Sequence, residues 1–162
     1  MIIRIGVLSD THGLLRPELL PLLRGCNHIL HCGDVGDPAI LDALAEIAPV
    51  TAIRGNIDIH GPCAVLPATE VAALSGLDFY LLHDLNQLDL DPAAAGFAAV
   101  LSGHSHQPVI RHHKGVLYLN PGSCGPRRFR LPVTCAEILV THEGQLNARI
   151  LDLSPPGVSQ EN

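Results

Sequence analysis

The sequence predicts a chain that begins as a parallel β-sheet with right-handed crossovers, and three observations lead there. Three short apolar runs, Ile2–Leu8, His28–Cys32 and Val50–Ile53, have the length and branching of buried strands. Each stops at a turn pair: Ser9-Asp10, Gly33-Asp34 and Gly55-Asn56. Between them, Pro17–Arg24 and Pro38–Ile47 alternate apolar and polar residues with helical spacing. Strands that alternate with helices at this spacing can pair only in parallel, because the intervening helix carries the chain back to the starting edge.

The helices have recognisable starts. Pro17 suits a first turn, where its missing N–H costs nothing. Asp37 is placed to cap the second helix, with Pro38 just inside it. Beyond residue 55 the pattern changes to strands: Glu70–Ala73, Asp78–His83, Ala98–Ser102, Pro108–His112 and Val116–Asn120. Cys135–Thr141 and Gln145–Leu153 form a hairpin around Glu143-Gly144. Ser154–Asn162 is rich in Pro, Gly and polar residues and is expected to fray, which leaves 1–153 as one domain.

Composition narrows the function. No apolar run approaches the roughly 18 residues of a membrane span, and the start MIIRIGVLSD lacks the features of a signal peptide. The five cysteines are odd in number and show no C-x-x-C spacing, which fits reduced thiols in the cytoplasm. A net charge of -6 without a basic stripe argues against nucleic acid, and the scarcity of aromatic residues argues against base stacking. Neither a monomer nor a homo-oligomer is singled out. Ten histidines are left that folding alone does not call for.

Several of those histidines fall at strand ends. Asp10 and His12 form D-x-H after the first strand, where an extended chain would point both side chains the same way. Asp34 follows the second strand, Asn56 the third, and His83 closes the strand Asp78–His83. His104 and His106 form H-x-H after Ala98–Ser102. Singly, each has an ordinary reading as a turn former, a solvated loop residue or a hydrogen-bonded core histidine. Together those readings would have to coincide at five strand ends, where open α/β sheets place their ligands. Carboxylate mixed with imidazole suits divalent transition metals, and the absence of cysteine argues against a structural zinc site. His60, His112, His113 and His142 read as surface residues, and His31 as a neighbour of the site.

The motifs LSDTHG, CGDVG, RGNID, LLHD, SGHSH and NPGS, in this order, resemble the calcineurin-like metallophosphoesterase superfamily, in particular its small YfcE-like phosphodiesterase branch. The resemblance runs from Ile2 to Leu153. It implies an α+β fold, a four-layer α/β/β/α sandwich of two mixed β-sheets flanked by helices, the metallo-dependent phosphatase fold. It also implies two divalent transition-metal ions, with manganese first and nickel, iron or zinc as alternatives. Asp10, His12 and His106 would hold one, Asn56, His83 and His104 the other, and Asp34 would bridge them. Such a pair would lower the pKa of a shared water from 15.7 towards about 7. Asp34, Asn56 and His83 would position that hydroxide and a small phosphate-ester substrate for in-line attack.

Two departures qualify the likeness. Many members of the superfamily carry a histidine after the asparagine, thought to protonate the leaving oxygen; here Ile57 stands in its place. Asp58 and His60 are the candidates to supply that proton, each with an ordinary turn or surface reading beside it. The second departure is Asp84-Leu85 where the branch usually has Gly-His, which alters the pocket wall. Arg127 or Arg128, after the NPGS loop, is a candidate contact for the substrate phosphate. The rival within the same fold is a non-catalytic metal-binding scaffold acting in protein–protein interaction, as a retromer subunit of similar fold resembles.

Overall fold

A computed structural model describes residues 2–153, so the tail expected to fray lies outside the described residues. The first half follows the expected order: β1 (Ile3–Leu8), α1 (Leu19–Leu23), β2 (His28–His31), α2 (Pro38–Ala45) and β3 (Val50–Ala52). Strands β1, β2 and β3 pair in parallel. Helix α2 starts as its sequence dictates: the Asp37 carboxylate accepts the Ala39 N–H at 2.9 Å, and Pro38 occupies the first turn. Helix α1 keeps only five of the eight residues expected of it, and Pro21 within it has no amide to donate.

The second half contributes β4 (Thr69–Leu74), β5 (Leu77–Leu82), β6 (Ala99–Leu101), β7 (Val109–His113), β8 (Val116–Asn120), β9 (Thr134–Val140) and β10 (Leu146–Asp152). Two five-stranded mixed sheets result, ordered β10-β9-β1-β2-β3 and β4-β5-β6-β8-β7. The terminal hairpin does not join the strands that precede it. It returns to the first sheet, where β9 lies antiparallel to β1. Each sheet therefore has three adjacent parallel strands: β1-β2-β3 runs to one edge of the first sheet with antiparallel β9 on its other side, and β5-β6-β8 lies between antiparallel β4 and β7 in the second.

Alternation along the strands fills the space between the sheets. Ile5, Val7, Leu30 and Ile138 face Phe79, Leu81, Leu101 and Leu117 there, all buried. The opposite face of the first sheet packs Leu8 and Ile29 under Leu19, Leu23, Ile40 and Leu44 of the two helices. The outer face of the second sheet is covered more thinly, by Leu85, Leu88 and Phe97 over Tyr80, Val100 and Tyr118, with a 3-10 turn at Leu85–Gln87. Each fully buried Leu, Ile or Phe contributes about 1.5–3 kcal/mol.

One charged cluster lies inside the first sheet. Glu137 of β9 is 2% exposed and meets Arg4 of β1 and Arg149 of β10, its two strand neighbours. Burial works against its ionisation, but the two guanidiniums outweigh it and hold the carboxyl below its ordinary range. Arg4 also donates to the carbonyls of Leu22 and Arg24, tying the end of α1 to the sheet.

Candidate metal centre

The parallel strands of both sheets end at one rim. There β1 leads to Asp10 and His12, β2 to Asp34, β3 to Asn56, β5 to His83, and β6 to His104 and His106. The route differs from the extended D-x-H geometry expected: Asp10 and His12 have φ of 57° and 45°, and His104 and His106 of 71° and 60°. Asp34, at 56°, makes five of the eight non-glycine residues with positive φ among those described. Left-handed backbone is disfavoured for residues with a Cβ and concentrates at functional sites. Tight turns, not extended chain, aim these side chains.

Both carboxylates are built alike. Asp10 Oδ2 accepts the Ser9 hydroxyl at 2.7 Å and the His104 N–H at 3.1 Å. Its other oxygen, Oδ1, lies 3.3 Å from His106 Nε2, 3.5 Å from His12 Nε2 and 3.7 Å from His83 Nε2. Asp34 Oδ1 accepts the Ile57 N–H at 3.0 Å, while Oδ2 faces His83 Nε2 at 3.2 Å and His12 Nε2 at 3.3 Å. One oxygen of each carboxylate is anchored and the other is turned towards imidazoles. Two glycines make the approach possible: a Cβ on Gly55 would lie 2.0 Å from Asp34 Oδ1, and one on Gly103 2.0 Å from the Ser9 hydroxyl.

His83 gives the sharpest constraint. Its Nδ1 lies 2.7 Å from the carbonyl of Cys32, which can only accept, so the ring donates there. In the neutral ring, Nε2 then presents a lone pair to the lone pairs of Asp34 and Asp10. Such an arrangement asks for a proton or a cation between them. Burial opposes the charged ring, but the Asp34 and Cys32 contacts outweigh it and raise the His83 pKa. Burial likewise opposes ionisation of Asp34, yet His83 and the Ile57 amide bring its pKa down to about 2.

Among the described residues, four buried side-chain atoms have no hydrogen-bond partner: Asp10 Oδ1, His12 Nε2, His83 Nε2 and His106 Nδ1. All four belong to the seven residues singled out in the sequence. Buried polar atoms are rarely left so. Ligand atoms of Asp10, His12 and His106 lie within 4.8 Å of one another, as do those of Asp10, Asp34 and His83. Asp10 thus joins both groups, beside Asp34, which touches His12 on one side and His83 on the other. Asn56 and His104 form the solvent edge, with His104 Nδ1 3.1 Å from Asn56 Oδ1 and its ring 5.3 Å from that of His83. These donors fit divalent cations: oxygen and imidazole nitrogen converge and lack other partners.

The remaining candidates divide. Asp58, a candidate acid in the sequence, is instead a clamp: it is buried, and its two oxygens accept the N–H groups of Val35, Gly36 and Gly55. A carboxylate so occupied holds the second and third strand-end loops together. His60 is exposed, as are Arg127 and Arg128, and of these two arginines it is Arg128 whose charge bears on His106. His31 sits under the site. It accepts the Gly33 N–H on Nδ1 at 3.1 Å, and its Nε2 lies 3.0 Å from the Thr11 hydroxyl, which itself donates to the Val35 carbonyl. That chain of bonds needs a neutral ring, and burial brings the His31 pKa down to about 4. Asn120 opens the NPGS motif noted in the sequence, where it carried no role of its own; its amide donates to the Gly103 carbonyl and the Ser105 hydroxyl.

Two facing mixed sheets, with carboxylates and imidazoles gathered at the rim of their parallel strands, define a metallophosphoesterase-type sandwich. The chain belongs to the calcineurin-like phosphoesterase superfamily, whose domain pattern matches residues 3–144. It is 33% identical to a probable metallophosphoesterase of Methanocaldococcus jannaschii, over 92% of this chain and 81% of that one. A phosphodiesterase of the same archaeon is 26% identical, over 75% of this chain and 84% of its own. A predicted phosphoesterase from Streptococcus pneumoniae superposes with a TM-score of 0.74 at 25% identity, covering 97% of this chain and 95% of that one. Vacuolar Protein Sorting 29 from Cryptosporidium parvum reaches the same TM-score of 0.74 at 18% identity, over 95% of this chain and 99% of its own, a likeness of fold.

Proposed function

We propose that the protein is a two-metal phosphodiesterase, with Asp10, His12 and His106 holding one cation, Asn56, His83 and His104 the other, and Asp34 between them. One observation carries this reading: the buried side-chain atoms without hydrogen-bond partners among the described residues all belong to that set, whose carboxylates and imidazoles lie close together. Divalent ions, manganese first, would supply positive charge for the phosphoryl oxygens and a water whose pKa falls towards about 7.

The chain's own residues do the rest. Ile57 and Ser9, with the His104 amide, fix one oxygen of each carboxylate, so the other oxygens keep their aim. The Cys32 carbonyl fixes the His83 tautomer. His104 and Asn56 face the side from which an ester would arrive. Hydrolysis joins the water oxygen to phosphorus, breaks one ester P–O bond and leaves a proton for the departing oxygen. With Ile57 where a histidine would stand and Asp58 committed to amides, solvent supplies that proton. Esters with acidic leaving groups are therefore preferred.

A scaffold needs no such convergence, and every expected ligand position here carries a competent side chain. The five unpaired cysteines support a cytoplasmic setting. The test is a panel of phosphodiesters and phosphomonoesters, assayed with Mn²⁺, Ni²⁺, Fe²⁺ and Zn²⁺ on metal-stripped protein, with elemental analysis of the reloaded chain. Two ions per chain and diester turnover are expected. One ion or none, or no turnover with any metal, overturns the reading.

A further inference from the structure

Two cavities open on either side of the ridge formed by Asp84 and His104, and their walls differ in chemistry. The first, about 410 Å³, is walled by Leu85, Val109, Tyr118 and Leu119. Its polar floor is already occupied: the Asn120 amide donates to the Gly103 carbonyl and the Ser105 hydroxyl, and that hydroxyl also accepts the Gln107 N–H. Arg111 rests over the Tyr118 ring, 5.0 Å from its centroid. An incoming group meets mainly carbon. The second cavity, about 520 Å³, contains Asn56 and His83 of the candidate centre and is edged by Arg54, Thr69, Gln87 and Asp89. Beside Ala68, Tyr80 and Leu82 it offers hydroxyl, amide, guanidinium and carboxylate groups, a polar wall that the first cavity largely lacks.

A phosphodiester carries two organic arms on one phosphorus, and this centre has two unlike cavities meeting beside it. We infer that the substrate is an asymmetric phosphodiester, with one apolar or aromatic arm against Leu85, Val109 and Tyr118, and one hydroxylated, polyol-like arm among Thr69, Gln87 and Asp89. Leu85 takes part because its side chain lines the first cavity beside Tyr118. The inference rests on the hydrolytic reading above for the position of the phosphorus.

The test uses metal-loaded protein and phosphinates, whose two P–C bonds cannot be hydrolysed. The probe with one phenyl and one dihydroxypropyl group should bind about tenfold more tightly than the diphenyl, bis(dihydroxypropyl) or dimethyl probe. The phenyl group should shift the Leu85 and Val109 methyl resonances, and the dihydroxypropyl group the Gln87 side-chain amide. The uncharged Leu85→Ser should weaken the phenyl-bearing probes by about tenfold and dimethylphosphinate by much less. Equal affinities for the four probes, or no shift at those residues, overturn the inference. Hydrolysis is followed separately with p-nitrophenyl glyceryl phosphate and bis-p-nitrophenyl phosphate. Turnover without discrimination between arms sinks the two-cavity assignment alone. Discriminating binding without turnover sinks the hydrolytic reading and leaves the cavities standing.

Discussion

Two places in the molecule bury carboxylates, and they do it in opposite ways. Glu137, within the first sheet, is enclosed by Arg4 and Arg149, which satisfy both of its oxygens. Asp10 and Asp34, at the rim, have one oxygen anchored and the other turned towards imidazole nitrogens. The first cluster is complete in itself and serves the fold, with regular strands on both sides. The second rests on left-handed backbone at five residues and leaves four buried atoms without partners. A self-sufficient cluster needs no ligand; an unfinished one is stable only when something completes it.

The largest expected effect separates the two clusters by activity. Asp34→Ala should lower diester turnover by on the order of 10²–10³-fold or more and reduce the metal content of the reloaded chain. His113→Ala, on exposed β7, should leave both within about twofold. Similar losses from the two would mean that the site has been misplaced.

Completion should also be visible as stability. A divalent cation at a hundred times its Kd adds about 2.7 kcal/mol, or about 5–10 °C in Tm for a chain of this size, and a chelator should reverse the gain. Because the ligands bind metal only when deprotonated, the gain should shrink as pH falls through the imidazole range. A Tm indifferent to Mn²⁺ and Zn²⁺ would break the contrast between the clusters.

Glu137→Gln tests the other side. It removes the charge facing two arginines, of which Arg149 is largely exposed, so about 1–3 kcal/mol of stability should be lost. Metal content should not change. Since the folded carboxyl lies below its unfolded value, its contribution is full above about pH 4.3 and is lost as the pH falls through the folded value. In urea melts the stability difference between the two proteins should therefore be full at pH 7 and narrow progressively as the pH is taken below about 4.3.

His31 links the rim to the interior. Its ring stays neutral in the fold down to about pH 4, whereas the unfolded ring takes up a proton near pH 6.5. Its contribution is thus full above about pH 6.5 and declines towards pH 4, by at most about 1.4 kcal/mol per pH unit. NMR of the ring carbons checks this directly; titration of His31 near pH 6.5 would contradict it.

The smallest change concerns Ile57. Rates in the unmodified protein should depend steeply on leaving-group pKa across a series of diesters. Ile57→His should speed alkyl diesters by at least about tenfold and leave aryl diesters within about twofold. A shallow dependence in the unmodified protein would point to a proton donor other than solvent.

Much of this was legible in the chain. The strands of the sequence reading fall within about two residues of those observed, because period and branching report burial locally. The seven candidate ligands were legible as a set, since each lies at or just beyond a strand end. Asp58 was not: its sequence context is an ordinary turn, and its three amide partners come from loops that only the fold brings together. The positive φ of Asp10 and His12 was equally hidden, because D-x-H reads the same on an extended chain as on a turn.

By itself, the sequence determined which residues would stand at strand ends and which chemistry they carry, since hydrophobic period and residue type are local properties. Tertiary structure alone decided the aim. The His104 amide reaches Asp10 across 94 residues and the Cys32 carbonyl reaches His83 across 51, so neither bond has a local signature. It also decided that the C-terminal hairpin returns to the first sheet, placing Glu137 between Arg4 and Arg149. Pairing between distant strands depends on the whole set of competing edges, which no single segment encodes.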